Sequence, residues 1–342
     1  MARLSETDAR ALVLRAFCAA GMHCDMAQDA AEMLVLAEMM GIGTHGLARV
    51  EPYVARMRDG GVNPEALPVI TAPAPALRQV DGQNGLGAAV AIRATRAAME
   101  AASNVGVGAA FCRASSHLGA LAPQLLHVAE AGFAGFFTTN TSPMIAPAGG
   151  ARATIGNAPV GIVVPDVGGQ HALLDMALSV AARSKVRRAA ANGAPIPDTW
   201  ATDADGQPTT DATEAMKGMM QAIGGAKGAN LSLCLDLLAG GLSGAAMLSE
   251  VPNANIDTKS IANVGHLFIV FDAAKLMPSE ALSARLEDAH RLVKESANPM
   301  TAAQSAPRLP GTRALAALAR ARADGLEIKL ELLEQLRTLA VA

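Results

Sequence analysis

Apolar residues spaced three and four positions apart predict helices at the start of the chain. Residues 5–20 show this spacing, and Ser5 followed by Asp8 resembles a capping box, which satisfies the free N–H groups of a helix start. A second helix is predicted at 25–41 and a third from 44 to about 59. The beginning of the chain is therefore expected to be a helical unit.

The middle of the chain alternates short apolar runs with helical patterns. Strands are predicted at residues 76–80, 106–112, 134–139, 160–164, 172–176 and 266–271. Helices are predicted at residues 88–102, 126–132, 184–192 and 230–247, with a surface loop at 196–211. Because alternating strands and helices characterise α/β folds, we expect an α/β domain here.

Helical patterns return near the end of the chain, at residues 278–293, 313–323 and 327–339. The chain has 342 residues, and a single core stops growing at roughly 250 to 300 residues, so two domains are expected. We place a helical domain in two parts around an α/β domain, with boundaries at 1–72, 73–277 and 278–342.

The composition favours a small molecule over a macromolecular or lipid partner. A net charge of -3 offers no excess of lysine and arginine for nucleic acid or an anionic membrane. The N-terminus lacks the apolar core of a signal peptide, and the apolar stretch 231–247 is interrupted by Asp236 and glycines, so we expect a cytoplasmic protein. Hydrophobic residues make up 51% of the chain and charged residues 17%, which leaves apolar surface to bury between subunits.

Several metal and nucleotide motifs are absent from the sequence. It contains no GxxxxGK followed by Ser or Thr, no HExxH and no paired Cys and His ligands, which excludes P-loop, zincin and structural-zinc sites. Gly85-Leu86-Gly87 lies between a predicted strand and helix as in a dinucleotide fingerprint, but the third glycine is missing, and a tight turn is the preferred interpretation. No CxxC pair occurs, and small buried apolar residues are expected at Cys18, Cys24, Cys112 and Cys234.

The strongest chemical signal is His45 with Arg49 four residues later, because the two would share one face of a helix. Reduction of a 2-oxo acid needs a cation for the carboxylate and an acid of near-neutral pKa to protonate the carbonyl oxygen. Thr44 could cap the helix or hold the imidazole through its hydroxyl. A structural histidine at a helix start is the alternative, which spacing alone leaves open.

Two further segments could face a ligand. His117 follows a predicted strand, where α/β folds bind ligands, although a local hydroxyl could equally satisfy it. The glycine-rich run 223–228 contains Lys227 and precedes an apolar helix, an arrangement that binds anions or phosphate. The remaining histidines lack such a context and are predicted to be structural: His23, His127, His171, His266 and His290.

The segment 41–50, which reads GIGTHGLARV, resembles the signature of the malate/L-lactate dehydrogenase family of the L-sulfolactate dehydrogenase type. Other segments match that family in the same order along the chain: NTSP at 140–143, APAGG at 146–150, LDMA at 174–177, GGAKG at 224–228, NVGH at 263–266 and LPG at 309–311. The resemblance covers nearly the whole sequence.

This resemblance implies an α/β (α+β) fold, in which a mixed sheet flanked by helices forms a non-Rossmann cofactor domain beside a helical domain built from both termini. It implies an oxidoreductase with NAD or NADP as cofactor, usually a homodimer, that interconverts a small 2-oxo acid and its 2-hydroxy acid. The domain 73–277 would bind the cofactor and carry catalysis. Reduction of a cyclic imino acid, such as piperideine-2-carboxylate or pyrroline-2-carboxylate, is the enzymatic alternative. A catalytically silent nucleotide-binding protein is the alternative of another class.

Carried over position by position, the resemblance implies roles for individual residues. His45 would donate the proton with support from Thr44, Arg49 would anchor the carboxylate, and His117 and Thr141 would also face the substrate. Cofactor contacts are implied for His117, Leu118, Gly119, Ala120, Leu121, Thr141, Asp175, Met176, Ala177, Lys227, Gly228, Arg308, Pro310, Gly311 and Arg313.

Two positions depart from the family's pattern. Thr44 stands where the family usually has serine, which keeps a hydroxyl but adds a methyl group beside the substrate. The sequence Gly156-Asn157-Ala158-Pro159 replaces the common Gly-Thr-Asn-Pro, so the polar contacts made there by the family do not carry over directly. The substrate and the choice between NAD and NADP stay open at this point.

Overall fold

The computed structural model describes residues 1–254, 256–298 and 306–341. The chain begins with strand β1 (Ala2–Leu4) and helices α1 (Glu6–Ala19), α2 (Cys24–Met39) and α3 (Val50–Arg58). Helix α1 begins where predicted because the Ser5 hydroxyl accepts a hydrogen bond from the Asp8 N–H at 3.0 Å. Helices α1 and α2 then pack together through apolar faces in the main core.

The remaining elements follow the predicted alternation of strands and helices. The strands are β2 (Val69–Ala74), β3 (Leu77–Asp81), β4 (Val107–Ser115), β5 (Phe133–Thr139), β6 (Val160–Val164), β7 (Ala172–Met176), β8 (Val264–Asp272) and β9 (Leu326–Ile328). The helices are α4 (Gly87–Val105), α5 (Ala122–Glu130), α6 (Arg183–Ala191), α7 (Ala212–Lys217), α8 (Ala226–Asp236), α9 (Ser279–Glu295), α10 (Thr312–Asp324) and α11 (Leu330–Leu339).

A seven-stranded mixed sheet in the order β2-β3-β4-β8-β5-β6-β7 forms the centre of the molecule. Strands β3 and β4 are parallel, and every other neighbouring pair is antiparallel. Because β8 runs antiparallel to both β4 and β5, the carboxyl ends of β4 and β5 lie at the same edge of the sheet. The start of β8, the start of β6 and the end of β7 lie there too, since Thr139 pairs with His266 and Val160 pairs with Met176.

Helices cover this sheet and complete the core. Helix α4 packs on β4 and β8, and α5 packs on β5 and β6. Helix α2 packs in turn on α4 and α5, which brings the helical start of the chain against the sheet. The predicted fold class, a mixed sheet flanked by helices, is confirmed.

The structure differs from the predicted elements at several positions, which include the unpredicted helix α7 and the start of α5 at Ala122 instead of Leu126. Strand β2 is not predicted, because this edge strand is mostly exposed, contains Pro73 and lacks the alternation of apolar and polar residues that marks a strand. Helix α3 begins at Val50 instead of Thr44, and the predicted helix 230–247 ends at Asp236, where a π-helical turn follows. Where a helix was predicted from 327, the short strand β9 forms first because it pairs with β1.

The two ends of the chain meet in space. Strands β1 and β9 pair antiparallel, with Ala2 opposite Ile328 and Leu4 opposite Leu326. Helix α11 packs against α1 and α3, and its buried Leu333 and Leu336 belong to the same core as the first helices. The domain boundaries at 72/73 and 277/278 remain a prediction.

The cysteines contradict the expectation of four small buried apolar residues. Only Cys112 is buried, whereas Cys24 and Cys234 are exposed and Cys18 is half-buried. Their helices turn these side chains toward solvent, a detail that the apolar pattern does not encode. Within the described residues, no helix is long and apolar enough to cross a membrane, and no group of three or more Asp, Glu, His or Cys residues could hold a metal ion.

Candidate active site

The segment that contains His45 is irregular, and helix α2 fixes its path. Residues Gly43–His45 and Leu47–Arg49 form two short 3-10 turns before α3 begins. A side chain at Gly46 would lie 2.9 Å from the Glu38 backbone nitrogen on α2, so only glycine allows this close approach. The Glu38 carboxylate accepts a hydrogen bond from the Leu47 N–H at 2.9 Å.

His45 and Arg49 therefore do not share a helical face as predicted, but they are close by another route. The 3-10 geometry folds Arg49 back, and its Nε donates a hydrogen bond to the Thr44 carbonyl oxygen at 2.8 Å. Burial, together with the positive charge of Arg49, lowers the pKa of His45 to about 4. The Thr44 hydroxyl lies 2.9 Å from His45 Nδ1, which fixes the orientation of the neutral ring.

His117 stacks beside His45, with their ring centroids 5.6 Å apart and their planes inclined by 30°. Its Nδ1 lies 2.6 Å from the Tyr53 hydroxyl oxygen. Burial raises the pKa of Tyr53, so the hydroxyl keeps its proton and has a hydrogen to donate toward Nδ1. Burial, then the charge of Arg49, lowers the pKa of His117, so the ring is neutral and carries a proton on only one of its nitrogens.

Tyr53 was missed at the sequence level. It lies on α3, four residues after Arg49, and its side chain is buried. Tyr53 continues the four-residue spacing of His45 and Arg49, and this spacing is its signal in the sequence. The structure thus joins His45, Arg49 and Tyr53 from one segment with His117 from the end of β4.

A buried polar cluster lies behind this group, where β4, β5 and β8 meet. His266 is fully buried, and its two ring nitrogens lie 2.7 Å from the Thr139 hydroxyl and 2.8 Å from the Ser115 hydroxyl. Burial lowers the pKa of His266 to about 3, so the ring stays neutral. These contacts agree with the predicted structural role of His266. They connect the end of β4, which precedes His117, to the end of β5, which precedes Thr141.

Thr141 follows β5 at the same edge of the sheet. Its hydroxyl donates to Asn157 Oδ1 at 3.0 Å and accepts from the Asn157 N–H at 3.0 Å. A side chain at Gly156 would lie 2.5 Å from the Thr141 carbonyl oxygen, which explains the glycine there. The altered segment therefore makes two hydrogen bonds with Thr141, both through Asn157.

The loop between β4 and α5 brings the predicted cofactor residues Leu118, Gly119, Ala120 and Leu121 to the site. Gly119 has φ +90° and its backbone packs beside the His45 carbonyl oxygen, while Leu118 and Leu121 are buried. Asp175 at the end of β7 accepts a hydrogen bond from the Ala122 N–H at 2.8 Å, at the start of α5. Burial raises the pKa of Asp175. Next to it, Met176 is exposed and Ala177 is half-buried.

The start of helix α8 has the chemistry of a phosphate site. Gly224 and Gly225 have φ +61° and +62°, and no atom lies within 4 Å of a side chain placed on either, which leaves an open cradle before the helix. Lys227 is exposed in the first turn, and Gly228 packs on the Ile223 backbone. This site suits the pyrophosphate of a nicotinamide cofactor. The glycines leave room for it, and the free N–H groups of the helix start and the lysine attract its negative charge.

The segment 308–313 lies along the edge strand β7, and β6 and β5 separate it from β8. The Pro310 carbonyl accepts a hydrogen bond from the Leu173 N–H at 3.0 Å, and Gly311, with φ +90°, packs on the Leu173 backbone. Arg308 and Arg313 are exposed. These four predicted cofactor residues therefore lie on or next to β7, and their contact with the cofactor stays a prediction.

Gly85 and Gly87 are explained by packing. The Gly87 N–H donates to the Ser116 hydroxyl at 2.9 Å, and the same hydroxyl donates to the Gly85 carbonyl at 3.1 Å. A side chain at Gly87 would lie 2.6 Å from the Ser116 carbonyl carbon. Close approach of two backbones, rather than a nucleotide, accounts for this glycine pair.

Comparison with known proteins decides the family. A sequence model described as malate/L-lactate dehydrogenase matches residues 4–337. The chain belongs to the malate/L-lactate dehydrogenase family. It is 32% identical over 339 residues to (2R)-3-sulfolactate dehydrogenase (NADP(+)) of Chromohalobacter salexigens, which covers 99% of this chain and 98% of that protein.

Imino acid reductases are similarly close. The Delta(1)-pyrroline-2-carboxylate reductase of Pseudomonas fluorescens is 32% identical over 319 residues, with 93% of each chain covered. The crystal structure of delta1-piperideine-2-carboxylate reductase from Pseudomonas syringae has a TM-score of 0.90 at 28% identity and covers 99% of this chain and 100% of that chain. These comparisons confirm the predicted family and its NAD(P)-dependent oxidoreductase class.

Proposed function

We propose that this chain interconverts a small 2-oxo acid and its 2-hydroxy acid, with His45 as the proton donor and Arg49 as the carboxylate anchor. The observation that carries the proposal is the convergence of His45, Arg49, Tyr53 and His117 at the carboxyl end of β4. This group combines a cation, an ionisable imidazole and a fixed hydrogen-bond donor, which are the functions that carbonyl reduction requires.

Substrate binding and proton transfer are coupled through Arg49. Its positive charge contributes to the low pKa of His45 in the ligand-free protein. A substrate carboxylate bound to Arg49 offsets that charge, which raises the pKa of His45 and favours its protonated form. In reduction, His45 then donates this proton to the carbonyl oxygen, whereas in oxidation the neutral ring accepts the hydroxyl proton.

His117 and Thr141 complete the substrate side of the proposal. We assign Tyr53 as the donor to His117 Nδ1, which leaves the Nε2–H of His117 to hydrogen-bond a substrate oxygen. Thr141 is half-buried at the end of β5, and its contact with Asn157 orients its hydroxyl. Thr44 holds His45 through Nδ1, which leaves Nε2 for the substrate.

The cofactor is NAD or NADP, and its bound nicotinamide supplies hydride in reduction and accepts it in oxidation. We assign the pyrophosphate to the start of α8 with Lys227 and Gly228, supported by the open glycine cradle. Ser232 on α8 donates to the Gly156 carbonyl at 2.8 Å, which ties this helix to the Thr141 region. The further contacts carried from the family resemblance are those of Leu118 to Leu121, Asp175 to Ala177, Arg308, Pro310, Gly311 and Arg313.

We extend the proposal to a homodimer that works in the cytoplasm. A dimer is supported by exposed apolar side chains on α8 and the turn after it, which are Leu231, Leu237, Leu238 and Leu242. Exposed free thiols at Cys24 and Cys234 fit a reducing compartment.

Reduction of a cyclic imino acid is the second candidate, favoured by the similarity to the two imino acid reductases. Such substrates carry the same carboxylate for Arg49 but present an imine nitrogen instead of a carbonyl oxygen. A substrate panel separates the candidates. The protein is mixed with NADH or NADPH and with oxaloacetate, pyruvate, sulfopyruvate, pyrroline-2-carboxylate or piperideine-2-carboxylate, and absorbance of the reduced cofactor is followed.

We expect cofactor oxidation with at least one 2-oxo acid and a marked preference for one cofactor. Turnover of imino acids alone would replace the main proposal by the second candidate. Cofactor binding without turnover of any compound would contradict both and indicate a catalytically silent nucleotide-binding protein.

A further inference from the structure

Two cysteines lie side by side although six positions separate them in the chain. The Sγ atoms of Cys18 and Cys24 are 3.7 Å apart. Cys18 is the penultimate residue of α1, and Cys24 is the first residue of α2. Cys24 is exposed and Cys18 is half-buried, so a small reagent in solution can reach the pair.

The connection between the two helices is well ordered, which keeps the two thiols together. The Met22 N–H donates to the Phe17 carbonyl at 3.0 Å, and the His23 N–H donates to the Pro64 carbonyl at 3.2 Å. Gly21 makes the turn with φ +84°. Little chain entropy therefore remains to be lost when the two sulfur atoms are joined.

The two thiols have different surroundings. Cys24 lies in the first turn of α2 and its side chain faces solvent. Burial and the contact with Cys24 raise the pKa of Cys18. This difference suits Cys24 to attack an external disulfide and Cys18 to act in a second step.

We propose that Cys18 and Cys24 form a dithiol site that small-molecule disulfides, such as oxidised glutathione, convert reversibly into an intramolecular disulfide. The Cys24 thiolate attacks one sulfur of the small disulfide, a mixed disulfide forms, and one thiolate leaves. Cys18 then loses its proton and attacks the Cys24 sulfur, and the second small thiolate leaves. The protein loses two electrons and two protons, and the small disulfide gains them as two thiols.

The disulfide should change stability more than activity. It would tie the end of α1 to the start of α2 and restrict the unfolded chain. Glu38 lies fourteen positions after Cys24 on α2, which is about 21 Å at about 1.5 Å per residue. Glu38 is the α2 residue that holds the His45 segment, so the site lies far from the proposed chemistry.

Cys234 provides an internal control. It is exposed on α8 of the single chain, next to the leucines assigned to the dimer interface, and in the described part of the chain no other cysteine is in contact with it. Oxidised glutathione can therefore modify Cys234 only as a mixed disulfide, whereas the pair resolves to a disulfide without a bound glutathionyl group.

The test treats the full-length protein with oxidised glutathione and measures intact mass, peptide masses and thermal unfolding. We expect a crosslinked peptide pair containing Cys18 and Cys24, a loss of two hydrogen atoms there, and a melting temperature raised by roughly 4 °C. Excess dithiothreitol should reverse both changes. In Cys18→Ser, the glutathionyl group should stay on Cys24, whereas in Cys24→Ser neither a crosslink nor an adduct at Cys18 should form.

Catalytic activity, measured with whichever substrate the panel identifies, should change by less than about twofold on oxidation. The mass measurements do not depend on the proposed reaction, so this inference and the proposed function can fail separately. Absence of the crosslink between Cys18 and Cys24 after treatment with excess oxidised glutathione would overturn the proposal, whatever the state of Cys234. A persistent glutathionyl group on Cys24 of the wild-type protein would equally overturn it.

Discussion

Two histidines at the same edge of the sheet have opposite surroundings. His45 lies on an irregular, half-exposed segment, with a hydroxyl on one ring nitrogen and the charge of Arg49 beside it. His266 is sealed between strands, with a hydroxyl on each ring nitrogen and the ring of Phe268 at 5.8 Å. The pKa of His45 can respond to an arriving carboxylate, whereas nothing that binds reaches His266. The first environment suits proton transfer, and the second suits a support that holds the strand ends in place.

The largest effect should come from replacing the ionisable imidazole of His45. His45→Gln keeps a hydrogen-bonding side chain but cannot donate a proton as an acid, so kcat should fall by about 100-fold or more. His23→Gln, the same change at an exposed histidine, is the control and should leave kcat unaltered. Steady-state kinetics with the substrate found in the panel measure both. Wild-type kcat in His45→Gln would move the proton donor elsewhere, with His117 as the next candidate.

Loss of the bidentate cation should follow in size. Arg49→Lys keeps the charge but loses the paired geometry that binds a carboxylate, so KM should rise by roughly 10-fold to 100-fold. Arg58→Lys on the exposed end of α3 is the matched control. An unchanged KM for every carboxylate substrate would show that another cation anchors it.

Burial of His266 should be visible in the pH dependence of the unfolding free energy. The folded pKa of His266 is about 3 and its unfolded value about 6.5, so the unfolded chain binds the proton first. Stability is complete above pH 6.5 and is lost as the pH falls toward 3, at about 1.4 kcal/mol per pH unit. Between pH 6.5 and 5, His266 should thus account for about 2 kcal/mol of the fall in unfolding free energy. Urea unfolding at several pH values measures it.

The variant His266→Gln sharpens this prediction, since glutamine retains hydrogen-bonding groups but does not titrate. Its unfolding free energy should depend less steeply on pH in the same window, even if its stability at pH 7 is lower. An identical slope in wild type and variant would contradict the role given to His266.

A smaller effect should come from the contact between Tyr53 on α3 and His117, which follows β4. Tyr53→Phe removes the hydroxyl that donates to His117 Nδ1 but keeps the buried ring. One neutral hydrogen bond corresponds to roughly 1 kcal/mol, so kcat/KM should fall by about fivefold with the fold intact. Circular dichroism checks the fold, and kinetics measure the loss. A loss as large as that of His45→Gln would show that Tyr53 takes part in the chemistry itself.

The smallest effect is expected at the position that departs from the family's pattern. Thr44→Ser retains the hydroxyl at His45 Nδ1 and removes only a methyl group, so kcat should change by less than about threefold. Thr44→Ala is the contrasting variant, because it also removes the hydroxyl. A change in substrate preference in Thr44→Ser would show that the methyl group shapes the pocket.

Local pattern by itself determined much of this protein. The periodicity located α1, α2 and the strands at 160–164 and 172–176, because their apolar faces are buried in the way that helical and extended spacing predict. Residue type also predicts the roles of His45 and Arg49, and the accompanying family motifs indicate the oxidoreductase class. A secondary-structure preference and a contiguous motif both depend only on residues that are close together in the sequence.

Only the tertiary structure decided which distant residues meet. Insertion of β8 between β4 and β5 places His266 between Ser115 and Thr139, and the fold of α3 against the β4 end joins Tyr53 to His117. The same holds for the thiols of Cys18 and Cys24, which come together across the turn between α1 and α2. Periodicity reports which face of an element is buried but not which element covers it, so strand order and helix packing had to supply these contacts.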